Sequence, residues 1–224
     1  MKVIIINGSP RTTGSTATLL HEIEDRLRCK DVDVEYFDLS RLSMSQCEGC
    51  CACYTTGHCH INDDAERLSD LIKEADGLVL GSPTYASNVS GYMKLLIDRG
   101  HFVIEQMLTG KHCLTVTTGE NYGKKDAEKV LKKLVLYSGG HLVKSISMNA
   151  SFNSITFSKS GPYHDITGKA ADSLYTSILE NRRSALQHLK HKVILSFGIK
   201  PFVRKKGRKY QGVIDKWKEL GIYG

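Results

Sequence analysis

The chain has 224 residues, of which 41% are hydrophobic and 25% charged, a balance that indicates a folded domain and argues against intrinsic disorder. Its net charge of +7 comes from the end of the chain, because residues 182–224 carry 12 Lys and Arg against 2 Asp and Glu, whereas residues 1–181 carry 19 against 22. No apolar run reaches the roughly 18 residues of a transmembrane helix, and the first run is too short for a secretory signal. We therefore expect a cytoplasmic protein without a membrane partner.

Short, β-branched apolar runs alternate with helical patterns over the first 150 residues. The predicted strands are residues 2–6, 32–37, 77–81, 113–117 and 141–148. Between them, apolar residues recur every three or four positions, as in Leu19, Ile23 and Leu27. Strands that alternate with helices need right-handed crossovers and a parallel sheet that is covered on both faces. The pattern therefore predicts an α/β fold, with a flavodoxin-like, doubly wound five-stranded parallel sheet in the order 2-1-3-4-5.

The pattern becomes less regular after residue 150. Residues 151–166 resemble a loop, and helices are predicted over 168–191 and 213–219. The candidate buried positions of the longer helix are Leu174, Ile178, Ala185 and Leu189. We therefore expect one domain over residues 1–150 and a basic, partly helical accessory extension over 151–224, whose role the sequence leaves open.

The loop between the first strand and the first helix, residues 7–16, is rich in glycine and hydroxyl side chains. Anionic ligands bind at this junction in parallel α/β sheets, because the first amide groups of the helix point at them. The glycine signatures of dinucleotide and triphosphate folds are absent, so the hydroxyls and one Arg indicate a terminal monophosphate, such as that of FMN. The candidate ligands are Ser9, Arg11, Gly14, Ser15 and Thr16. The alternative is that Ser15 only caps the helix.

Two further loops, residues 81–91 and 117–123, follow the third and fourth strands. Both combine glycine, hydroxyl and aromatic side chains, which suits a flat heterocycle that needs edge hydrogen bonds and an aromatic wall. Ser90 is expected to cap the helix that follows the first of these loops. All three loops should converge at the carboxyl edge of the sheet, where α/β folds bind ligands.

Five short motifs lie in and around these loops. They are Asn7-Gly8-Ser9-Pro10-Arg11, Gly14-Ser15-Thr16, Ser82-Pro83-Thr84-Tyr85, Ser90-Gly91-x-Met93-Lys94 and Ile97-Asp98-Arg99. Together they resemble the NAD(P)H-dependent FMN reductase branch of the flavodoxin-like superfamily. The resemblance implies FMN as cofactor, NAD(P)H as a candidate cosubstrate, and a homodimer or homotetramer with flavins near the subunit interface. The implied FMN-binding residues are Ser9, Arg11, Gly14, Ser15, Thr16, Pro83, Thr84, Tyr85, Ala86, Ser87, Thr118, Gly119, Asn121 and Tyr122.

Five of the seven cysteines fall within residues 47–59, in the spacing Cys47-x2-Cys50-x2-Cys53-x5-Cys59, with Cys51 off this spacing. Four thiolates can hold a [4Fe–4S] cluster or a zinc ion, although zinc ribbons more often have a longer gap between two pairs. The spacing resembles the iron–sulfur flavoprotein subgroup, which implies that Cys47, Cys50, Cys53 and Cys59 are cluster ligands. Cluster-free thiols and zinc are the alternatives, and Cys29 and Cys113 are expected to be buried.

FMN together with a cluster predicts an oxidoreductase that passes electrons between NAD(P)H or ferredoxin and a small acceptor, such as a quinone, a flavin or a nitro compound. No side chain needs to act as a nucleophile, and Tyr85 and Tyr122 are the only candidate acids. The alternatives are a cluster-free NAD(P)H-dependent FMN reductase, a non-enzymatic electron carrier and a redox-sensing regulator. The basic run 204–209 could attract NADPH phosphate, an acidic ferredoxin or nucleic acid, but its lack of interleaved aromatic residues argues against nucleic acid.

Overall fold

A parallel β-sheet in the order β2-β1-β3-β5-β6 forms the centre of the molecule. The computed structural model describes residues 1–150 and 162–223. The strands are β1 (Lys2–Asn7), β2 (Asp33–Asp38), β3 (Gly77–Tyr85), β4 (Asn88–Val89), β5 (His112–Gly119) and β6 (His141–Asn149). The doubly wound parallel sheet is therefore confirmed, with its parallel neighbours in the expected spatial arrangement.

The prediction of five strands is wrong, because the described residues contain a sixth strand, β4. β3 continues to Tyr85, well past its predicted end, and β4 pairs with it in the antiparallel direction. Ala86 and Ser87 join the two strands with φ angles of +48° and +59°. A two-residue hairpin turn of this kind needs positive φ at both positions, which glycine and asparagine usually supply. Neither residue carries that signal, so the sequence did not predict the hairpin.

Ten α-helices lie in the described parts of the chain, and none of them is both long enough and apolar enough to span a bilayer. They are α1 (Ser15–Arg28), α2 (Ala52–Thr56), α3 (Asp64–Glu74), α4 (Gly91–Arg99), α5 (Phe102–Glu105), α6 (Lys124–Tyr137), α7 (Pro162–Leu179), α8 (Ala185–Val193), α9 (Lys200–Lys206) and α10 (Gln211–Glu219).

Side chains of β1 point alternately into two apolar clusters, one on each face of the sheet. Ile4 and Ile6 pack with α3, α4 and α6, whereas Val3 and Ile5 pack with α1 and α7. All four side chains are fully buried. This burial explains why the strand is an uninterrupted apolar run instead of an alternating one.

The second part of the chain differs from the prediction in two ways. Residues 162–166 begin α7 instead of belonging to a loop, while residues 151–161 lie outside the described residues. The predicted helix 168–191 is interrupted, because α7 ends at Leu179, Asn181 has a φ of +48°, and α8 starts after Ser184, whose hydroxyl accepts a hydrogen bond from the Gln187 amide.

The burial expected for this predicted helix holds only in α7. Leu174 is buried and Ile178 is partly buried, as expected, but Ala185 and Leu189 are exposed. The break between α7 and α8 changes the direction of the chain, so positions that a single helix would align no longer face the sheet. The last predicted helix, 213–219, corresponds to α10.

The last helices form a separate apolar cluster away from the sheet. Val203, Val213 and Trp217 are fully buried in it, and the side chains of Tyr54 and Ile104 pack against them. Tyr54 belongs to α2, the short helix inside residues 47–59, which we call the cysteine segment. The end of the chain therefore covers that segment.

Candidate functional site

The helix that follows the predicted phosphate loop starts without a side-chain cap. α1 begins at Ser15 and its N-cap residue is Gly14, with no side-chain hydrogen bond to the helix start and no acidic residue in the first turn. The alternative in which Ser15 caps this helix is therefore wrong. An uncapped helix start with no acidic residue in its own first turn is an arrangement that favours an anion.

A network of close contacts holds the phosphate loop against the neighbouring strand and helix. The Gly8 amide donates to the Gly81 carbonyl oxygen over 2.7 Å. The Ser90 hydroxyl donates to the Gly8 carbonyl oxygen and accepts from the Met93 amide over 3.1 Å, which confirms that Ser90 caps α4. A Cβ atom at Gly8 would lie 2.9 Å from Met93 Cβ, so only glycine permits this approach.

Ten of the fourteen predicted FMN-binding residues line one cavity of about 40 Å³ at the carboxyl edge of the sheet. We call it the phosphate cavity. They are Ser9, Arg11, Gly14, Ser15, Thr16, Pro83, Thr84, Tyr85, Thr118 and Gly119. Across the cavity, the hydroxyls of Thr16 and Thr118 lie 2.8 Å apart. The structure thus brings the three predicted loops together.

Thr84 provides a test of whether this cavity suits a ligand. Its hydroxyl oxygen is buried and has no hydrogen-bond partner among the residues that the structure describes. An unpaired buried hydroxyl costs free energy, and such groups are rare in native proteins unless a ligand or water pairs with them. The cavity residues therefore fit an oxygen-rich anion such as the phosphate of FMN.

Four predicted residues lie outside this cavity. Ala86 and Ser87 form the β3–β4 turn, and a Cβ atom at Gly123 would lie 2.7 Å from Ser87 Cα, so the turn packs against the third loop. Asn121 and Tyr122 lie at the surface, and the Tyr122 side chain is 77% exposed. Their contribution to flavin binding stays a prediction.

The cavity also includes two residues that the sequence analysis did not select, Glu120 and Ala150. Glu120 lies in the third loop. Sequence reasoning did not select it, because a carboxylate repels a phosphate. Ala150 enters because its amide donates to the Gly119 carbonyl oxygen over 3.0 Å, a contact between distant parts of the chain that no local pattern reveals.

A wider cleft of about 580 Å³ lies beside the phosphate cavity, and Tyr85 lines both. Tyr92 and Leu95 of α4 contribute aromatic and aliphatic surface to it. Its remaining lining residues are Pro10, Gln46, Cys47, Ser90, Gly91, Lys94 and Asp98. The size and the partly apolar walls suit a flat ring system. Sequence reasoning missed Tyr92 and Leu95, because both are ordinary helix residues.

A third cavity, of about 240 Å³, is lined by Cys47, Cys50, Cys53 and Cys59, and also by Cys51. We call it the cysteine cavity. Cys47 is shared between this cavity and the wider cleft. Over residues 1–150 and 162–223, however, no three His, Cys, Asp or Glu side chains are arranged to hold a single metal ion. The structure thus brings the four predicted thiols to one cavity without placing them in a ligand geometry.

Thiols in this cavity differ in environment. Burial, together with smaller contributions from the nearby Glu105 and Cys59, raises the pKa of the Cys53 thiol to about 11. Cys50 is exposed, and its sulfur lies 3.2 Å from His60 Nδ1. Cys53 is therefore protonated at neutral pH in the metal-free chain, and a metal would have to displace that proton.

Arg99 of α4 joins the two ends of the cysteine segment. Its buried guanidinium forms two 2.9 Å hydrogen bonds with the Asp63 carboxylate and donates to the Ser45 carbonyl oxygen over 2.7 Å. Burial of Asp63 opposes its ionisation, but the hydrogen bonds from Arg99 and from the Ser45 amide lower its pKa overall. Ser45 precedes the first cysteine and Asp63 follows the last, so this ion pair closes the loop that carries them.

The two remaining cysteines lie apart from the cavity. Cys113 is buried in β5, as expected, and burial raises the pKa of its thiol to about 12. Cys29 is exposed, so its predicted burial is wrong. The reason is its place directly after the last residue of α1, where the helix ends at the surface.

Comparison with known proteins matches the chain to one family model and to curated relatives. The family model described as NADPH-dependent FMN reductase matches residues 1–154. An iron–sulfur flavoprotein of Clostridioides difficile (strain 630) is 36% identical over 230 residues, which cover 99% of this chain and all of that protein.

Solved structures with lower identity match the fold. An NADH:FMN oxidoreductase in its apo form has a TM-score of 0.58 at 16% identity, covering 84% of this chain and 93% of its own. A flavodoxin of Streptococcus pneumoniae has a TM-score of 0.54 at 14% identity, covering 79% and 97%. These two matches establish a flavodoxin-like fold.

Proposed function

Because this chain belongs to the NADPH-dependent FMN reductase family and is an FMN-dependent oxidoreductase, we propose that it also carries a [4Fe–4S] cluster on Cys47, Cys50, Cys53 and Cys59. In this proposal it passes electrons between NAD(P)H or ferredoxin and a small acceptor, such as a quinone, a flavin or a nitro compound. The observation that carries the proposal is the sequence of three cavities, in which Tyr85 lines the first two and Cys47 the last two.

Residues of the phosphate cavity are proposed to hold FMN by its phosphate. Arg11 would supply a charged fork, and the hydroxyls of Ser9 and Thr16 would supply neutral donors. Thr84 would pair its buried hydroxyl with an oxygen of the ligand. FMN supplies two-electron and one-electron redox chemistry when it is bound. The chain itself contributes binding, orientation and the exclusion of water.

The four thiols are proposed to hold the cluster, since four cysteine donors are the set that [4Fe–4S] clusters require. Arg99 lines the same cavity and places a positive charge beside Cys59. An assembled cluster would exchange single electrons. We also propose a homodimer or homotetramer, as the family resemblance implies.

A cluster-free FMN reductase is the second candidate. It is favoured by one observation, that the four thiols line a common cavity but no three ligating side chains in the described parts of the chain are arranged around one metal ion. The non-enzymatic carrier and the redox-sensing regulator both predict negligible steady-state oxidation of NADH or NADPH, which separates them from the two enzymes.

Anaerobic purification followed by an absorption spectrum and an iron assay tests the proposal. We expect flavin bands and about four iron atoms per chain. Cys53→Ser should remove the iron and keep the flavin, whereas Cys29→Ser, at an exposed cysteine outside the cavity, should keep both. An iron-free protein that still oxidises NADPH with a quinone acceptor would contradict the cluster and favour the cluster-free reductase.

A further inference from the structure

The short helix α2 carries Cys53 but lacks the length to be stable by itself. It has five residues, and Gly57 ends it with a φ of +81°. Isolated helices shorter than about 12 residues are marginal in water, so other contacts must hold α2 in place. No residue of α2 is fully buried in the sheet core.

α10 provides a backbone-to-backbone contact at the end of α2. A Cβ atom at Gly212, the second residue of α10, would lie 2.1 Å from the Gly57 nitrogen and 2.7 Å from Gly57 Cα. No side chain can occupy that space without displacing one helix from the other. Gly57 lies between Cys53 and Cys59 in the chain, so this contact fixes the segment that connects two predicted ligands.

Side chains of α10 anchor it to α5, which also lines the cysteine cavity. The Trp217 indole donates to the Ile104 carbonyl oxygen over 2.9 Å. Lys216 Nζ lies 2.8 Å from a carboxylate oxygen of the buried Glu105, whose other oxygen lies 2.9 Å from His101 Nδ1. Because Glu105 is buried, removal of the Lys216 charge would leave it short of a partner.

Two further contacts attach the segment just before α10 to α2. The Thr55 hydroxyl donates to the Lys209 carbonyl oxygen over 3.0 Å. The rings of Tyr54 and Tyr210 are stacked, with their centroids 4.7 Å apart. The residues on α2 that contact the end of the chain are thus the two that follow Cys53 in the sequence.

We propose that α10 is a positioning element for the metal ligands Cys53 and Cys59, and that Gly212 and Lys216 are the residues through which it acts. It acts through its contacts with α2 and α5. The inference rests on the proposed cluster function. It also assigns a role to a part of the chain that lies beyond residues 1–154, the span of the family match.

Alkylation of Cys53 in the full-length, reduced, iron-free chain tests the positioning directly. Iodoacetamide labelling followed by mass spectrometry gives the rate at Cys53, with the exposed Cys29 as internal reference. Gly212→Ala should raise the Cys53 rate at least about tenfold relative to Cys29. Alanine favours a helix more than glycine does, so a faster reaction at Cys53 would report the clash with Gly57 and not a lower helix propensity. Gly198→Ala is the control, because a Cβ atom there meets nothing within 4 Å.

A charge variant keeps the proposal testable if Gly212→Ala fails to fold, with FMN binding as the check of folding. Lys216→Met should also raise the alkylation rate at Cys53. Lys216→Arg keeps the charge, so its rate should stay near the wild-type value. In iron-loaded protein, Gly212→Ala and Lys216→Met should shorten the half-life of cluster absorbance at unchanged FMN affinity.

The outcomes separate this inference from the proposed function. Wild-type protein without iron would overturn the cluster, while the alkylation rates would still report whether α10 positions Cys53. Unchanged Cys53 rates in every variant that retains FMN binding would overturn the positioning role of α10.

Discussion

The phosphate cavity and the cysteine cavity are built in different ways. The phosphate cavity consists of loops that leave β1, β3 and β5, so the sheet register that pairs Asn7 with Gly81 and Pro83 with Thr118 places its residues. The cysteine cavity depends on a short helix, one buried ion pair and the distant end of the chain. The first kind of site is positioned by the fold itself, whereas the second requires contacts made specifically for it.

We expect the largest change in the free energy of unfolding when the ion pair that closes the cysteine segment is broken. Arg99→Leu leaves the Asp63 carboxylate without its buried partner, and losses of this kind cost about 3–5 kcal/mol. Urea unfolding of the iron-free protein measures the change. Arg67→Leu is the control, because its 3.5 Å pair with Asp64 is exposed and should contribute less than about 1 kcal/mol. A loss below 1 kcal/mol in Arg99→Leu would mean that this pair does not hold the segment.

The next effect concerns the phosphate cavity. Arg11→Ala combined with Ser15→Ala should weaken FMN binding at least about 30-fold, the equivalent of about 2 kcal/mol, since charge-assisted hydrogen bonds are lost. Fluorescence titration of FMN measures the affinity, and circular dichroism should report an intact fold. Thr13→Ala, at an exposed position outside the cavity, serves as the control. Full flavin occupancy in the double variant would place the phosphate elsewhere.

A smaller effect comes from the unpaired hydroxyl. Thr84→Val removes a buried hydroxyl without a partner in the described chain, so the free energy of unfolding of the FMN-free protein should stay equal or rise. FMN affinity should fall by about 1 kcal/mol, or roughly fivefold. Ser138→Ala removes another such hydroxyl outside the cavity and should leave FMN affinity unchanged. Equal affinities in both variants would show that Thr84 does not contact the ligand.

The smallest effect is a pH dependence that belongs to neither cavity. Burial lowers the pKa of His112, of His141 and of His191, with further contributions from His141, Arg183 and His188 respectively. The folded state therefore binds fewer protons than the unfolded state below the ordinary histidine pKa of about 6.5. The free energy of unfolding should consequently fall as the pH drops below about 6.5. The slope of urea stability between pH 7 and pH 5 should be shallower in His141→Asn than in the wild type.

How far the sequence could predict each region follows from the same difference. The loop 7–16 and the cap at Ser90 were predictable, because local glycines and hydroxyls at strand ends indicate both structure and ligand class. The β3–β4 hairpin was not, since Ala86 and Ser87 adopt positive φ without a residue type that signals it.

Contacts between distant parts of the chain explain the remaining gaps. The spacing of the cysteines predicted that Cys47, Cys50, Cys53 and Cys59 would lie together, but not that Cys51 would line the same cavity or that α10 would pack on this segment. The only local trace of that contact is Gly212, a glycine near the start of a helix, and its meaning depends on Gly57, which is far away in the sequence.

α4 has a consequence for how the two regions stay together. Ser90 at its start bonds the loop at Gly8, and Arg99 at its end bonds both sides of the cysteine segment. Its nine residues span about 13 Å at 1.5 Å per residue, so the length of one helix sets the separation of the two regions. An insertion or deletion of a single residue in α4 would turn Arg99 by about 100° and break one attachment or the other. Substitutions in either region leave this spacing unchanged, whereas a change in the length of α4 alters the contacts of both regions at once.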